Sequence, residues 1–263
     1  MTDNDIILKT KNLTKKFGGI TAVNNITLDI EKGSLKSLIG PNGSGKTTFF
    51  NLITGSLLST SGKIYFENKD ITDFSLSKTA RLGISRSYQI TNIFPHLTTF
   101  ENIRIVIQSH DKEKKNLFNS LKRAGSYEYQ HKDVLYYSKL VELDPSRLFI
   151  PASFLPHAEK RKLELAMAIA SKPKLLLLDE PTAGMSVEEI PEIYDTIVRI
   201  KKSYGKDLTI LIVEHKMDMV MSISEEVIVL SNGALLAKGS PDQIQNNEEV
   251  LSVYLGGLDN EYA

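Results

Sequence analysis

The residues best equipped for chemistry lie in one short stretch, Gly40-Pro41-Asn42-Gly43-Ser44-Gly45-Lys46-Thr47, followed by Thr48. It fits the pattern G-x-x-x-x-G-K-[ST], and each position has a physical reason. Glycines let the backbone curl until successive N–H groups point inward at anionic oxygens. A helix beginning where the loop ends aims its partial positive charge at the same point. Lys46 can then reach the β- and γ-phosphates, and the Thr47 hydroxyl can ligate Mg²⁺.

A second stretch supplies carboxylates. Leu175-Leu176-Leu177-Leu178-Asp179-Glu180-Pro181 reads as an aliphatic strand ending in two acids. Alone, such an ending is as readily a polar turn. Beside a complete phosphate loop it reads differently: Asp179 can hold Mg²⁺ through water, and Glu180 can polarise the attacking water as a general base.

These groups must be positioned by an α/β framework. Leu35 to Ile39 is an apolar strand that feeds the loop, and the stretch from Thr48 to Leu57 reads as the helix after it. Thr21 to Ile30 alternates in polarity, as in a half-buried strand. Leu175–Leu178 and Thr209–Val213 are short aliphatic runs joined by a helical segment, Val187 to Ser203, as in a parallel βαβ unit. Val227 to Leu230, Asn232-Gly233 and Ala234 to Ala237 read as a hairpin, and Pro241 to Leu255 as a closing helix. Residues 91–160 are more polar and read as helices, with Asp111 to Lys132 a solvated insertion.

Composition narrows the function. Formal net charge is zero, which removes the basic excess expected of a nucleic-acid or anionic-lipid binder. Cysteine is absent, so disulfides, thiol catalysis and cysteine-based metal sites are excluded. The longest aliphatic runs are four residues, far short of a membrane span, and the N-terminus does not read as a signal peptide. Work at a membrane would require other chains to hold this one there.

With these motifs in hand, the chain resembles the ATPases of ABC transporters over nearly its whole length. The resemblance implies a P-loop α/β fold with a mainly parallel sheet, an N-terminal antiparallel β region and a helical subdomain. It implies one ABC ATPase domain over 1–263, with core segments 1–90 and 161–263 and a helical subdomain at 91–160. It implies that Gln89, in Ser87-Tyr88-Gln89, joins Thr47 and Asp179 around Mg²⁺. His215, in Ile212-Val213-Glu214-His215, would contact the γ-phosphate and join Glu180 and Lys46 in catalysis. ATP would touch Phe17, stacked on adenine, and Val23, Asn42, Gly43, Ser44, Gly45, Lys46, Thr47, Thr48 and Gln89. A finer likeness is to the ATPases of branched-chain amino-acid importers, carried by Phe17–Asn25, Val213–Val220 and Asn246–Gly256. Urea- and amide-type importers share much of it. Implied partners are transmembrane permease subunits, a second ATPase and, indirectly, a solute-binding protein, with no nucleic acid. The place implied is the cytoplasmic face of the membrane.

The family carries a signature, Leu-Ser-x-Gly-Gln, at a helix start, and here the matching residues are Leu155-Pro156-His157-Ala158-Glu159. Pro156 offers a phosphate neither hydroxyl nor N–H. Ala158 places a Cβ where glycine allows close approach, and Glu159 adds negative charge unless Lys160 or Arg161 offsets it. One reading is an impaired signature; the other is a tolerated variant in which Pro156 is a good first-turn residue. Because the family sandwiches ATP between two subunits, the first reading implies a heterodimer with unequal sites, whereas the second keeps a homodimer. The rival functions are a P-loop kinase, an ABC ATPase acting on DNA or ribosomes, and a regulatory subunit that binds ATP but hardly hydrolyses it.

Overall fold

The computed structural model describes residues 5–87, 93–110 and 124–255. Gln89 and residues 111–123 of the expected insertion lie outside them. The chain divides into two compact units: Met1–Arg86 with Lys174–Pro181 and Tyr204–Ala263, and Ser87–Pro173 with Thr182–Ser203.

The first unit holds two sheets. Strands β1 (Ile6–Phe17) and β2 (Ile20–Glu31) pair antiparallel, and β4 (Ser61–Phe66) and β5 (Lys69–Asp70) complete an antiparallel sheet of order β2-β1-β4-β5. Between β2 and β4 the chain makes β3 (Leu35–Ile39), every residue of which is buried. A strand without polar alternation belongs inside a sheet covered on both faces. It lies beside β8 (Thr209–Val213) and β9 (Glu226–Ser231), both parallel to it. Further strands β6 (Ile84–Ser87), β7 (Leu175–Asp179) and β10 (Ala234–Gly239) complete the order β10-β9-β3-β8-β7-β6. The expected hairpin is β9–β10, turning at Asn232 and Gly233, both with positive φ.

Helix α1 (Lys46–Thr54) begins two residues before the expected Thr48, because Gly45 at φ 98° ends the loop and serves as its N-cap. It stops at Gly55, whose left-handed backbone lets its N–H bond Leu52. Its Phe49, Phe50, Leu52 and Ile53 share a buried cluster with Leu38, Leu175, Leu177, Leu211 and Val213. This cluster fixes the loop and the acidic strand in one rigid piece. The short helix α2 (Leu76–Leu82) precedes β6.

The second unit is helical. It contains α3 (Thr99–His110), α4 (Ala124–Leu140), α5 (His157–Ala170) and nearly all of α6 (Ile190–Tyr204). The helical region therefore extends past the expected boundary at 160, since α5 runs on to Ala170 and α6 belongs with it. Helix α6 starts three residues later than the expected Val187, after a turn in which the Ser186 N–H donates to Glu189.

Returning to the first unit, α7 (Met217–Ile223) follows β8. The expected closing helix is two: α8 (Pro241–Gln245), opened by a Ser240–Gln243 capping box, and α9 (Glu248–Leu255). Asn247 makes the break, its side chain accepting from the Val250 N–H as a fresh N-cap.

Candidate active site

Strand order puts the chemistry on one edge. Strands β3, β8 and β7 are parallel neighbours, pairing Leu38 with Val213 and Val213 with Asp179. The phosphate loop, Glu180 and His215 all leave the carboxyl ends of these strands, where open α/β sheets bind ligands. They enclose a cavity of about 320 Å³ lined by Ala22, the loop residues Asn42 to Thr48, Glu180 and His215.

The loop's shape depends on glycine at two points. Gly45 sits at φ +98°, and a Cβ there would lie 2.3 Å from the Ala22 carbonyl oxygen. Gly43 is at φ +76° with open space where a Cβ would go, which leaves the backbone bare toward the cavity. Lys46 folds back on the loop, donating to the carbonyl oxygens of Gly40 at 2.8 Å and Pro41 at 3.0 Å. Burial pushes its ammonium below the ordinary lysine value, while the Glu180 and Asp179 carboxylates pull it back up. An arriving phosphate has only to replace two carbonyls as acceptor, a small motion for a long side chain.

Glu180 and His215 meet across the cavity, with Glu180 Oε1 2.9 Å from His215 Nε2. Glu180 has φ 47°, uncommon for a residue with a Cβ. Its N–H is tied to the Val213 carbonyl at 2.9 Å, which holds the backbone in that bend at the end of β7. A carboxylate on a locally strained turn beside a phosphate loop is well placed to orient water.

Asp179 is buried, with its side chain 3% exposed. Its Oδ2 accepts from Arg86 at 2.5 Å, and its Oδ1 has no hydrogen-bond partner among the described residues. An orphaned buried carboxylate oxygen is the kind of group that a hydrated Mg²⁺ satisfies, and the exposed Thr47 hydroxyl on the same rim adds a second oxygen. Asp179 and Thr47 therefore fit the ion. Gln89, expected with them, lies outside the described residues.

Phe17 and Val23, both expected at the nucleotide, take different positions. Phe17 ends β1, about half exposed, with Lys15 Nζ 5.1 Å from its ring centroid, and it is not among the cavity's lining residues. Val23 is fully buried in the core, and its neighbour Ala22 lines the cavity instead. The reason is local: β1 and β2 carry register shifts between Leu13 and Lys16, opposite Val23, so simple alternation does not tell which side chain faces out.

In the helical unit, the altered signature leads into α5. Pro156 is the N-cap of α5 rather than a first-turn residue, and its carbonyl accepts from the Lys160 N–H at 3.0 Å. Ala158 is buried and His157 exposed. The charge of Glu159 is offset by neither Lys160 nor Arg161. Arg161 is engaged with Glu164 at 2.5 Å, and Lys162, one helical turn on from Glu159, approaches it at 3.4 Å and Glu192 at 2.6 Å.

Sequence reading missed three contacts to this site. Ala22 gave no signal, being a small residue in a strand. Arg86 and its bond to Asp179 depend on β6 lying beside β7, which no local pattern announces. Tyr254 of α9 reaches the start of the phosphate loop: burial pushes its phenol up to about 12, while a hydrogen bond from the Gly40 amide pulls the other way.

Comparison with known proteins agrees with this geometry. The family model "ABC transporter" matches residues 23–183, and "Branched-chain amino acid ATP-binding cassette transporter" matches residues 234–259. The chain is 34% identical to the high-affinity branched-chain amino acid transport ATP-binding protein BraF of Pseudomonas aeruginosa, over 95% of this chain and 98% of that one. Among solved structures it is similar to the ADP conformation of MJ1267, an ATP-binding cassette of an ABC transporter. There the TM-score is 0.79 with 29% identity, covering 95% of this chain and 99% of that one. It is also similar to the dimeric post-hydrolysis state of the cassette MJ0796 bound to ADP and phosphate, with a TM-score of 0.75 and 25% identity over 89% and 99% of the two chains.

Proposed function

This chain belongs to the ABC transporter ATP-binding family, and on that footing we propose that it is the ATP-hydrolysing subunit of an importer for branched-chain amino acids. The observation that carries the hydrolytic half is the 2.9 Å approach of Glu180 to His215 over the phosphate loop. The importer half rests on the branched-chain transport match at 234–259 and on the relative named for that transport.

The residues perform the following sequence. Backbone N–H groups of Asn42 to Thr47 and the α1 N-terminus bind the β- and γ-phosphates, and Lys46 leaves the Gly40 and Pro41 carbonyls to reach them. Thr47 and Asp179 would hold Mg²⁺, which would offset the negative charge of the phosphates. Glu180 orients and deprotonates the attacking water, while His215 is fixed by Glu180 and meets the γ-phosphate. Opening and closing of paired ATPases would pass to the permease subunits through the region of Gln89.

No helix among the described residues is long and apolar enough to cross a membrane. The chain is placed by its permease partners at the cytoplasmic face. Its own second ATPase would be a different subunit with an ordinary signature, because a homodimer would carry Pro156 and Ala158 at both sites. The altered signature also favours a second reading, a regulatory subunit that binds ATP without turning it over. Hydrolysis by the purified chain that is lost in Glu180→Gln sinks that reading. The substrate is tested by uptake into vesicles bearing the assembled transporter: leucine uptake is expected, and uptake of urea or an amide without leucine would overturn the assignment.

A further inference from the structure

Arg86 is a buried cation that the hydrolysis sequence leaves unused. Its side chain is 4% exposed at the end of β6, and its guanidinium divides its bonds between two elements of the site. One amine donates to Asp179 Oδ2 at 2.5 Å, and the other donates to Asn51 Oδ1 of α1 at 2.5 Å. Its Cζ also lies 5.6 Å from the ring centroid of Phe50, the residue before Asn51. The arginine thus ties the acidic strand to the helix that follows the phosphate loop.

A buried carboxylate without a cation is costly, so Asp179 needs a positive partner before any nucleotide binds. The pair leaves Asp179 Oδ1 without a protein partner while satisfying Oδ2. We propose that Arg86 is a positioning residue that stands in for the metal: it neutralises and orients Asp179 in the nucleotide-free chain, and its charge opposes Mg²⁺ at the same carboxylate until nucleotide arrives. The inference rests on the ATPase reading. Its consequence is that the ion binds well only together with phosphates, whose negative charge outweighs the arginine.

The test is ADP binding by the full chain, titrated with Mg²⁺ and read by calorimetry rather than turnover. Arg86→Gln can still bond Asn51 but carries no charge, and it should lower the Mg²⁺ concentration for half-maximal tightening of ADP by about fivefold. Arg86→Lys keeps the charge and should stay within about twofold of the unaltered chain. An unchanged Mg²⁺ dependence in Arg86→Gln would make the arginine merely structural and overturn the proposal. The unaltered chain gives an answer independent of folding in the variants. Its Arg86 guanidinium NMR signals should move with Mg²⁺ and ADP together and stay put with ADP alone, and equal shifts in both would contradict the proposal. A chain that binds no ADP at all would overturn the ATPase reading itself, and this inference with it.

Discussion

The two units of this chain meet the same ligand chemistry with unequal equipment. In the first, the phosphate loop with Lys46, a buried Asp179 and Glu180 bonded to His215 stand at the carboxyl edge of one sheet. In the second, the helix start that its family uses for a partner's phosphate offers Pro156, Ala158 and Glu159 instead of Ser, Gly and Gln. Yet α5 is no ruin. Pro156 holds its N-cap position, its Ala158 is packed, and Glu159 is balanced by Lys162. The difference teaches that, on the proposed reading, receiving and donating a catalytic surface would be separable within one chain.

The comparison breaks most sharply at Glu180. Glu180→Gln should keep ATP binding and lower hydrolysis by about a thousandfold, measured as steady-state phosphate release. A variant retaining most activity would move the catalytic base elsewhere and dissolve the claim that the first unit is complete. His215→Ala should cost about a hundredfold, with ADP affinity nearly unchanged, because on the proposed reading its contact would be made with the γ-phosphate. Equal losses in ADP binding would make His215 a structural residue.

The second unit is probed through Lys162, whose ammonium bonds the Glu142 carbonyl, Glu159 and Glu192. Burial pulls its pKa down, but the Glu192 bond and the attraction of Glu159 and Glu192 outweigh this and leave it raised. Lys162→Met should destabilise the chain by about 1–3 kcal/mol, discounted because Glu192 is half exposed. Thermal melting reads that loss, and ADP affinity should stay within about twofold if the units work independently. The smallest effect is expected at Phe17. Phe17→Ala should raise KM for ATP by about threefold through lost stacking, without changing kcat. No change would place adenine away from the tip of β1.

Much of the first unit was legible in the sequence because its demands are local. A glycine at φ +98°, a lysine one residue later and a hydroxyl after it are requirements of neighbouring residues, so spacing alone exposes them. The unbroken burial of Leu175–Asp179 and Thr209–Val213 likewise follows from uninterrupted aliphatic runs. What stayed hidden depends on pairing between distant segments. Arg86 finds Asp179 only because β6 lies beside β7, 93 residues apart in the chain. Val23 was expected at the nucleotide, and the bulged register of β1 and β2 turns it into the core and leaves Ala22 at the cavity. The sequence named Lys160 and Arg161 as the cations that could offset Glu159. Helical geometry instead selects the third, because residues three apart share a face and adjacent ones do not.

The most direct test compares Mg·ATP hydrolysis by the purified chain with that of the same chain carrying Pro156→Ser and Ala158→Gly. A rise of about tenfold or more in the repaired chain is the predicted result: a complete first unit would have been waiting for a working signature. Equal and robust rates in both would contradict it, making Leu155 to Glu159 a functional variant and restoring the homodimer.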